Sequence, residues 1–269
     1  MRLTDNQIVA PDLPKDATWI NFEPESIDDL LRVGPVLIEF WDFARVNSLR
    51  TLPYMEEWSR RYAHAGATIL GVLSPGFTFG RDEAVARAAV KRLGVQHPVL
   101  LDPEFALWQE FGNRGWPARY LFGRNGYLKY FHYGEGDYEE CELTLQEILR
   151  ELDPEVDLPP VMDPVRAEDA PGVELPAQTA DLATPADNDR LKVKGDWQQG
   201  EDWIEAEKAG SKISTKCSAG AAFAVLSGSA VEYPGVHELP IEGGKVSVVA
   251  EAPGLRFHGF QFTPETAGV

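Results

Sequence analysis

From residue 26 to residue 152, short apolar runs of strand length alternate with amphipathic helical patterns, and this alternation constrains the fold more than any other feature of the chain. Ser26-Ile-Asp-Asp opens a short helix capped by Ser26, and Gly34-Pro35 ends it. Val36 to Phe40 is a compact apolar strand. Val46, Leu49, Leu52, Met55, Trp58 and Tyr62 then recur at three- and four-residue steps, the face of a helix over 45–62. A strand over 67–73, a helix over 81–93, a strand over 97–102 and a short helix over 104–111 follow. Strands at 119–122 and 127–133 flank Gly123-Arg-Asn-Gly126, a hairpin signal. A last helix over 140–152 turns Leu143, Ile148 and Leu149 inward. Strands separated by helices pair in parallel, and the hairpin adds an antiparallel margin. The expectation is an α/β domain with a central mixed sheet flanked by helices.

Residues 153–190 hold seven prolines and a succession of acids with almost no aromatic residues, and read as an acidic linker. From 191 onward the pattern is of short alternating runs divided by glycine, at 212–217, 222–226, 245–250 and 255–262. Such even spacing predicts a small all-β, sandwich-like module. The domain expectation is therefore 1–152, 153–190 and 191–269.

Composition narrows the function. A net charge of −18 opposes nucleic acid and anionic membranes as partners. No apolar stretch approaches the roughly 20 residues of a spanning helix, and the N-terminus lacks a secretory-type apolar core, so the expected location is cytoplasmic. Cys141 and Cys217 are the only cysteines, far apart and without clustered histidines. No disulfide framework, metal site or cofactor is expected.

Residues 40–53 read Phe-Trp-Asp-Phe-Ala-Arg-Val-Asn-Ser-Leu-Arg-Thr-Leu-Pro. This resembles the active site of TlpA/ResA-type thioredoxin-like redoxins, and more closely the thioredoxin-like part of DipZ-type thiol–disulfide proteins. Phe40, Trp41, Asn47, Leu49, Arg50, Thr51, Leu52 and Pro53 match that pattern, while Arg45 and Ser48 stand at the two cysteine positions. Trp116-Pro117-Ala118 resembles the family's cis-proline loop, and Gly134 to Tyr138 the segment before its last helix. Gly195-Asp-Trp197, Gly200 and Ala209-Gly210 resemble the small carbohydrate-binding-like domain that follows the redoxin in DipZ-type proteins.

The resemblance implies a thioredoxin-like fold without its chemistry. A dithiol works because a thiolate at a helix N-terminus attacks a disulfide and a second thiol resolves the adduct. Arginine and serine do neither. Ser48 is an inert capping or lining serine, or a nucleophile if a base lies in reach. Arg45 is solvated or paired, Asp42 being its near partner, or forms an anion site with the free helix amides. Glu39 matches the family's buried proton-relay acid; if buried alone it is protonated near neutrality or paired with a base. Trp41, Phe43, Arg45, Trp116 and Pro117 would line a surface for extended peptide, or pack as ordinary core and loop residues; an exposed aromatic cluster would favour the first. Cys141, at a helix start, would have a lowered pKa.

The leading expectation is a redox-inactive thioredoxin-like protein that binds a peptide, a protein or a small anion at the former active-site surface. The alternative is a thiol–disulfide or peroxide-related enzyme acting through Cys141 or through Ser48, Arg45 and Glu39. A structural or assembly role is the third class.

Overall fold

A computed structural model describes residues 1–3, 8–24, 26–184 and 187–265. The chain divides into two compact units. The first comprises residues 1–42, 47–75 and 86–173; the second comprises 43–46, 76–85 and 174–269. The division is not the one that composition suggests. The proline-rich stretch is shared, with residues up to Val173 in the first unit and those from Glu174 in the second.

The first unit is built on strands β1 (Thr18–Ile20), β2 (Val36–Trp41), β3 (Thr68–Leu73), β4 (Val99–Leu101), β5 (Ala118–Phe122) and β6 (Leu128–Tyr133). They lie in the order β1-β4-β3-β2-β5-β6. β2, β3 and β4 pair in parallel, while β5, β6 and β1 run antiparallel to their neighbours. Helices α1 (Ile27–Val33), α2 (Val46–Tyr62), α3 (Glu83–Leu93) and α4 (Ala106–Glu110) lie between these strands in the chain, and α5 (Tyr138–Leu152) follows the last of them. Ser26 caps α1 by accepting the Asp29 amide at 3.1 Å.

β2 is buried along its whole length, as a central strand covered on both faces must be. One apolar cluster packs Leu37 with Met55, Trp58, Tyr62, Leu145 and Leu149; another packs Ile38 and Phe40 with Leu70, Leu100 and Leu107. Gly71 has a packing reason. A Cβ there would meet Trp41 Nε1 at 2.8 Å and His97 Nε2 at 3.0 Å, so the side chain at the end of β2 requires glycine beside it.

Residues 153–173 are held to the first unit by polar contacts that composition does not reveal. Tyr54 Oη donates to Asp169 (2.8 Å) and accepts from the Val165 amide (2.7 Å). Arg166 donates to the Arg50 carbonyl at 2.9 Å and pairs with Asp169.

The second unit is all-β in its C-terminal part. Its strands are β7 (Leu182–Ala183), β8 (Lys192–Lys194), β9 (Trp197–Gln199), β10 (Ile204–Ala206), β11 (Lys212–Lys216), β12 (Ala221–Gly228), β13 (Gly235–Leu239), β14 (Lys245–Val249) and β15 (Leu255–Thr263). One antiparallel sheet runs β13-β12-β15-β10-β9, with β7 also on β15, and a second runs β14-β11-β8. Phe257, Phe260, Ile213, Val246 and Val248 meet in its core.

Candidate functional site

β2 ends at Trp41, and a short turn leads to the first residue of α2, Val46. Ser48 is fully buried. Its Oγ accepts the Asp42 amide at 3.2 Å and so closes the turn. Arg45 is half-buried, with its guanidinium 4.7 Å from the centre of the Phe77 ring. The free amide that begins α2 is also occupied: Val46 N–H donates to Gln261 Oε1 at 2.7 Å, while Gln261 Nε2 donates to the Ala44 carbonyl at 2.8 Å. Gln261 lies 215 residues from Val46 and is itself buried. Residues 43–46 thus belong to the hydrogen-bonded frame of the second unit.

The aromatic docking surface expected from the sequence is not presented. Trp41 and Phe43 are fully buried and Pro117 is buried. Phe43 meets Phe79 edge-on, ring centres 5.8 Å apart. Trp116 is half-buried, donates through Nε1 to the Ser74 carbonyl at 2.9 Å, and packs on Trp108. The Trp116–Pro117 peptide is cis. The physical reason is local: Trp41, Phe43 and Pro117 are buried, and Phe43 and Trp116 have ring partners within their own units.

Neighbouring strands of the first unit carry a buried acid opposite a buried base. Glu39 on β2 stands opposite Arg119 on β5, and both are fully buried. Neither carboxylate oxygen of Glu39 has a hydrogen-bond partner. Burial pushes the Glu39 pKa from the ordinary 4.5 up to about 8, against the downward pull of Arg119. Arg119 donates to the Gly136 carbonyl and places its guanidinium 4.6 Å from the Tyr138 ring centre. Arg50, the arginine of the 40–53 motif, bridges Glu135 (2.6 Å) and Glu168 (3.1 Å).

The two thiols differ from expectation at Cys141. It is fully buried, and burial outweighs the attraction of Arg119, pushing its pKa up to about 12 rather than down. Both cysteines are free thiols.

A second constellation was not foreseen. Ser227 Oγ lies 2.8 Å from His258 Nε2, and His258 Nδ1 lies 3.4 Å from Asp202. The order is that of a nucleophile, base and acid, but a nucleophile needs a path to its substrate. Ser227 is 3% exposed and His258 fully buried, with the edges of Phe77 and Phe79 closing on the ring. Asp202 accepts from Thr78 N (2.6 Å) and Thr78 Oγ1 (2.9 Å). The group therefore pins residues 76–85 within the second unit.

No family model matches the chain. The protein DipZ of Mycobacterium tuberculosis is 34% identical over 152 residues, which is 56% of this chain and 22% of DipZ. The first unit has the thioredoxin-like fold. The thiol-disulfide oxidoreductase YkuV of Bacillus subtilis is 24% identical over 143 residues, 53% of this chain and 95% of YkuV. NHL repeat-containing protein 2 of Gallus gallus is 30% identical over 141 residues, 52% of this chain and 19% of the relative. The chain thus spans 22% of the length of the DipZ relatives that it matches. Among the described residues, no helix is long and apolar enough to cross a membrane.

Proposed function

We propose that this thioredoxin-like protein has no thiol–disulfide exchange activity and acts as a binding or assembly protein. The observation that carries this reading is the occupation of the former dithiol site. Ser48 closes a turn, Arg45 lies against Phe77, and Gln261 takes the helix-terminal amide at which a reactive thiolate would be stabilised. The remaining thiol of the first unit, Cys141, is buried and held protonated, so it is no substitute nucleophile. The same contacts argue against a small anion at this helix end, because the first of its amides is already used. They favour a structural role for residues 43–46 within the second unit. Partner recognition then belongs to other surfaces.

The test is to restore the dithiol. Arg45→Cys/Ser48→Cys should form a disulfide between the two introduced cysteines, readable by mass spectrometry after alkylation. Its reduction of a protein disulfide should stay slow until Gln261→Ala opens the turn. Rapid turnover by the double variant with Gln261 intact would refute the idea that the Gln261 hydrogen bonds hold the turn at residues 44–46 closed.

A further inference from the structure

The strongest local departure from the chain's composition is in the second unit. Five of its six lysines, Lys192, Lys194, Lys212, Lys216 and Lys245, line one groove of about 410 Å³ on the sheet β14-β11-β8. Strand alternation places them there. On β11, Ile213 and Thr215 are buried, so Lys212, Ser214 and Lys216 take the outer face. On β14, Val246 and Val248 are buried, so Lys245 and Ser247 face outward. The register sets Lys212 opposite Lys194, Ser214 opposite Lys192 and Ser247, and Lys216 opposite Lys245.

Like charges directly across a strand pair are unfavourable, and here two such pairs occur on one face. Among the described residues, none of the five ammonium groups is ion-paired, and the acid in the groove lining is Glu242. Elsewhere the described carboxylate partners are chiefly arginines, such as Arg50, Arg61, Arg166 and Arg256, with Lys208–Asp196 the lysine case. Lysine is therefore concentrated where no internal partner exists.

We infer that this groove binds a linear polyanion whose charges are phosphates. Residues alternating along a strand stand roughly 6.6 Å apart and neighbouring strands about 4.8 Å, so the face repeats a positive charge every few ångströms. Ammonium groups act as point charges and hold phosphate without the forked geometry that arginine brings to carboxylate. Ser214 and Ser247 hydroxyls lie between them as donors. Among the described residues, the groove lining has no aromatic side chain to stack a base, which sets it apart from single-strand nucleic-acid sites. It is also a groove rather than a plane, which favours a chain over a bilayer. The net charge of −18 does not cancel the patch, because charges more than about 8 Å away are largely screened at physiological salt. The inference is independent of whether the first unit is redox-active.

The experiment measures binding of short-chain inorganic polyphosphate to the whole protein between 50 and 200 mM salt. With about −0.7 in log–log slope per neutralised phosphate, five lysines give a slope of about −3.5 and roughly a hundredfold loss over that range. Lys194→Gln/Lys212→Gln should lower the slope to about −2. Its melting temperature should hold or rise, since it removes a like-charge pair. Absence of wild-type binding at 50 mM salt would overturn the inference, as would unchanged binding by the double variant. Polyglutamate binding as tightly as polyphosphate would assign the groove to acidic peptide instead. Equal binding to phosphatidylglycerol vesicles would assign it to a membrane surface.

Discussion

Replacing Glu39 by glutamine isolates the energetic consequence of a carboxylate left in the core after its thiols are gone. Between pH 4.5 and about 8 the folded protein holds a proton on Glu39 that the unfolded chain has released. Folding stability is therefore fully present below pH 4.5 and falls as pH rises through that window, by at most about 1.4 kcal/mol per pH unit. By pH 7 the accumulated loss is about 3 kcal/mol, and by pH 9 about 5 kcal/mol. The attraction of Arg119 is already contained in the value of 8, since it opposes the rise. Glu39→Gln keeps the shape and carries no such charge. The variant should match wild type near pH 4, exceed it by about 3 kcal/mol at pH 7, and exceed it further at pH 9. Urea unfolding at a series of pH values, followed by the fluorescence of buried Trp41 and Trp58, gives the difference directly. Other titrating groups cancel in the comparison. A stability difference that stays constant from pH 4 to 9 would refute the reasoning, because Glu39 would then titrate as an ordinary glutamate.

Gln261→Ala removes the side chain that accepts the Val46 amide and donates to the Ala44 carbonyl, and should cost about 1–3 kcal/mol in denaturant unfolding; a loss under about 0.5 kcal/mol would contradict its bridging role. Burial raises the Asp202 carboxyl, but hydrogen bonds from His258 and Thr78 outweigh it and leave the pKa lowered. Its stabilisation is thus present at neutral pH and lost as pH falls through the folded value. Asp202→Asn should be costly at pH 7, with a cost that shrinks as pH falls below the ordinary 3.8 and through the lowered folded value, and with faster amide exchange at Thr78 as the local readout. In native protein, alkylating reagents should modify Cys217 and spare Cys141; modification of both at similar rates would show that Cys141 is reached.

The first unit was largely legible because its signals are periodic. The apolar run of β2, the three- and four-residue steps of α2 and the Gly123–Gly126 turn each specify one element. β1 was not legible: three residues in a proline-rich lead-in carry no period, and the strand exists through its pairing with β4. Residues 153–173 read as linker because composition measures apolar burial, whereas Tyr54–Asp169 and Arg166 hold them by polar contacts. Glu39 was legible as a buried acid through the resemblance, but its partner Arg119 was not, since the strand register that opposes them spans 80 residues. Gln261 left one faint signal, a lone amide among Phe257, Phe260 and Phe262 on a buried strand. Nothing local indicates that its two hydrogen bonds close the turn at residues 44–46.

The lost dithiol is the centre of this account, and protein-disulfide turnover by the unmodified chain tests it most directly. With insulin as substrate and a thiol reductant supplied, the rate should equal that of reductant alone, and Cys141→Ala/Cys217→Ala should change nothing. Turnover above that background, abolished by the double substitution, would contradict the account and place the chemistry on a thiol that the fold holds protonated or leaves unpaired.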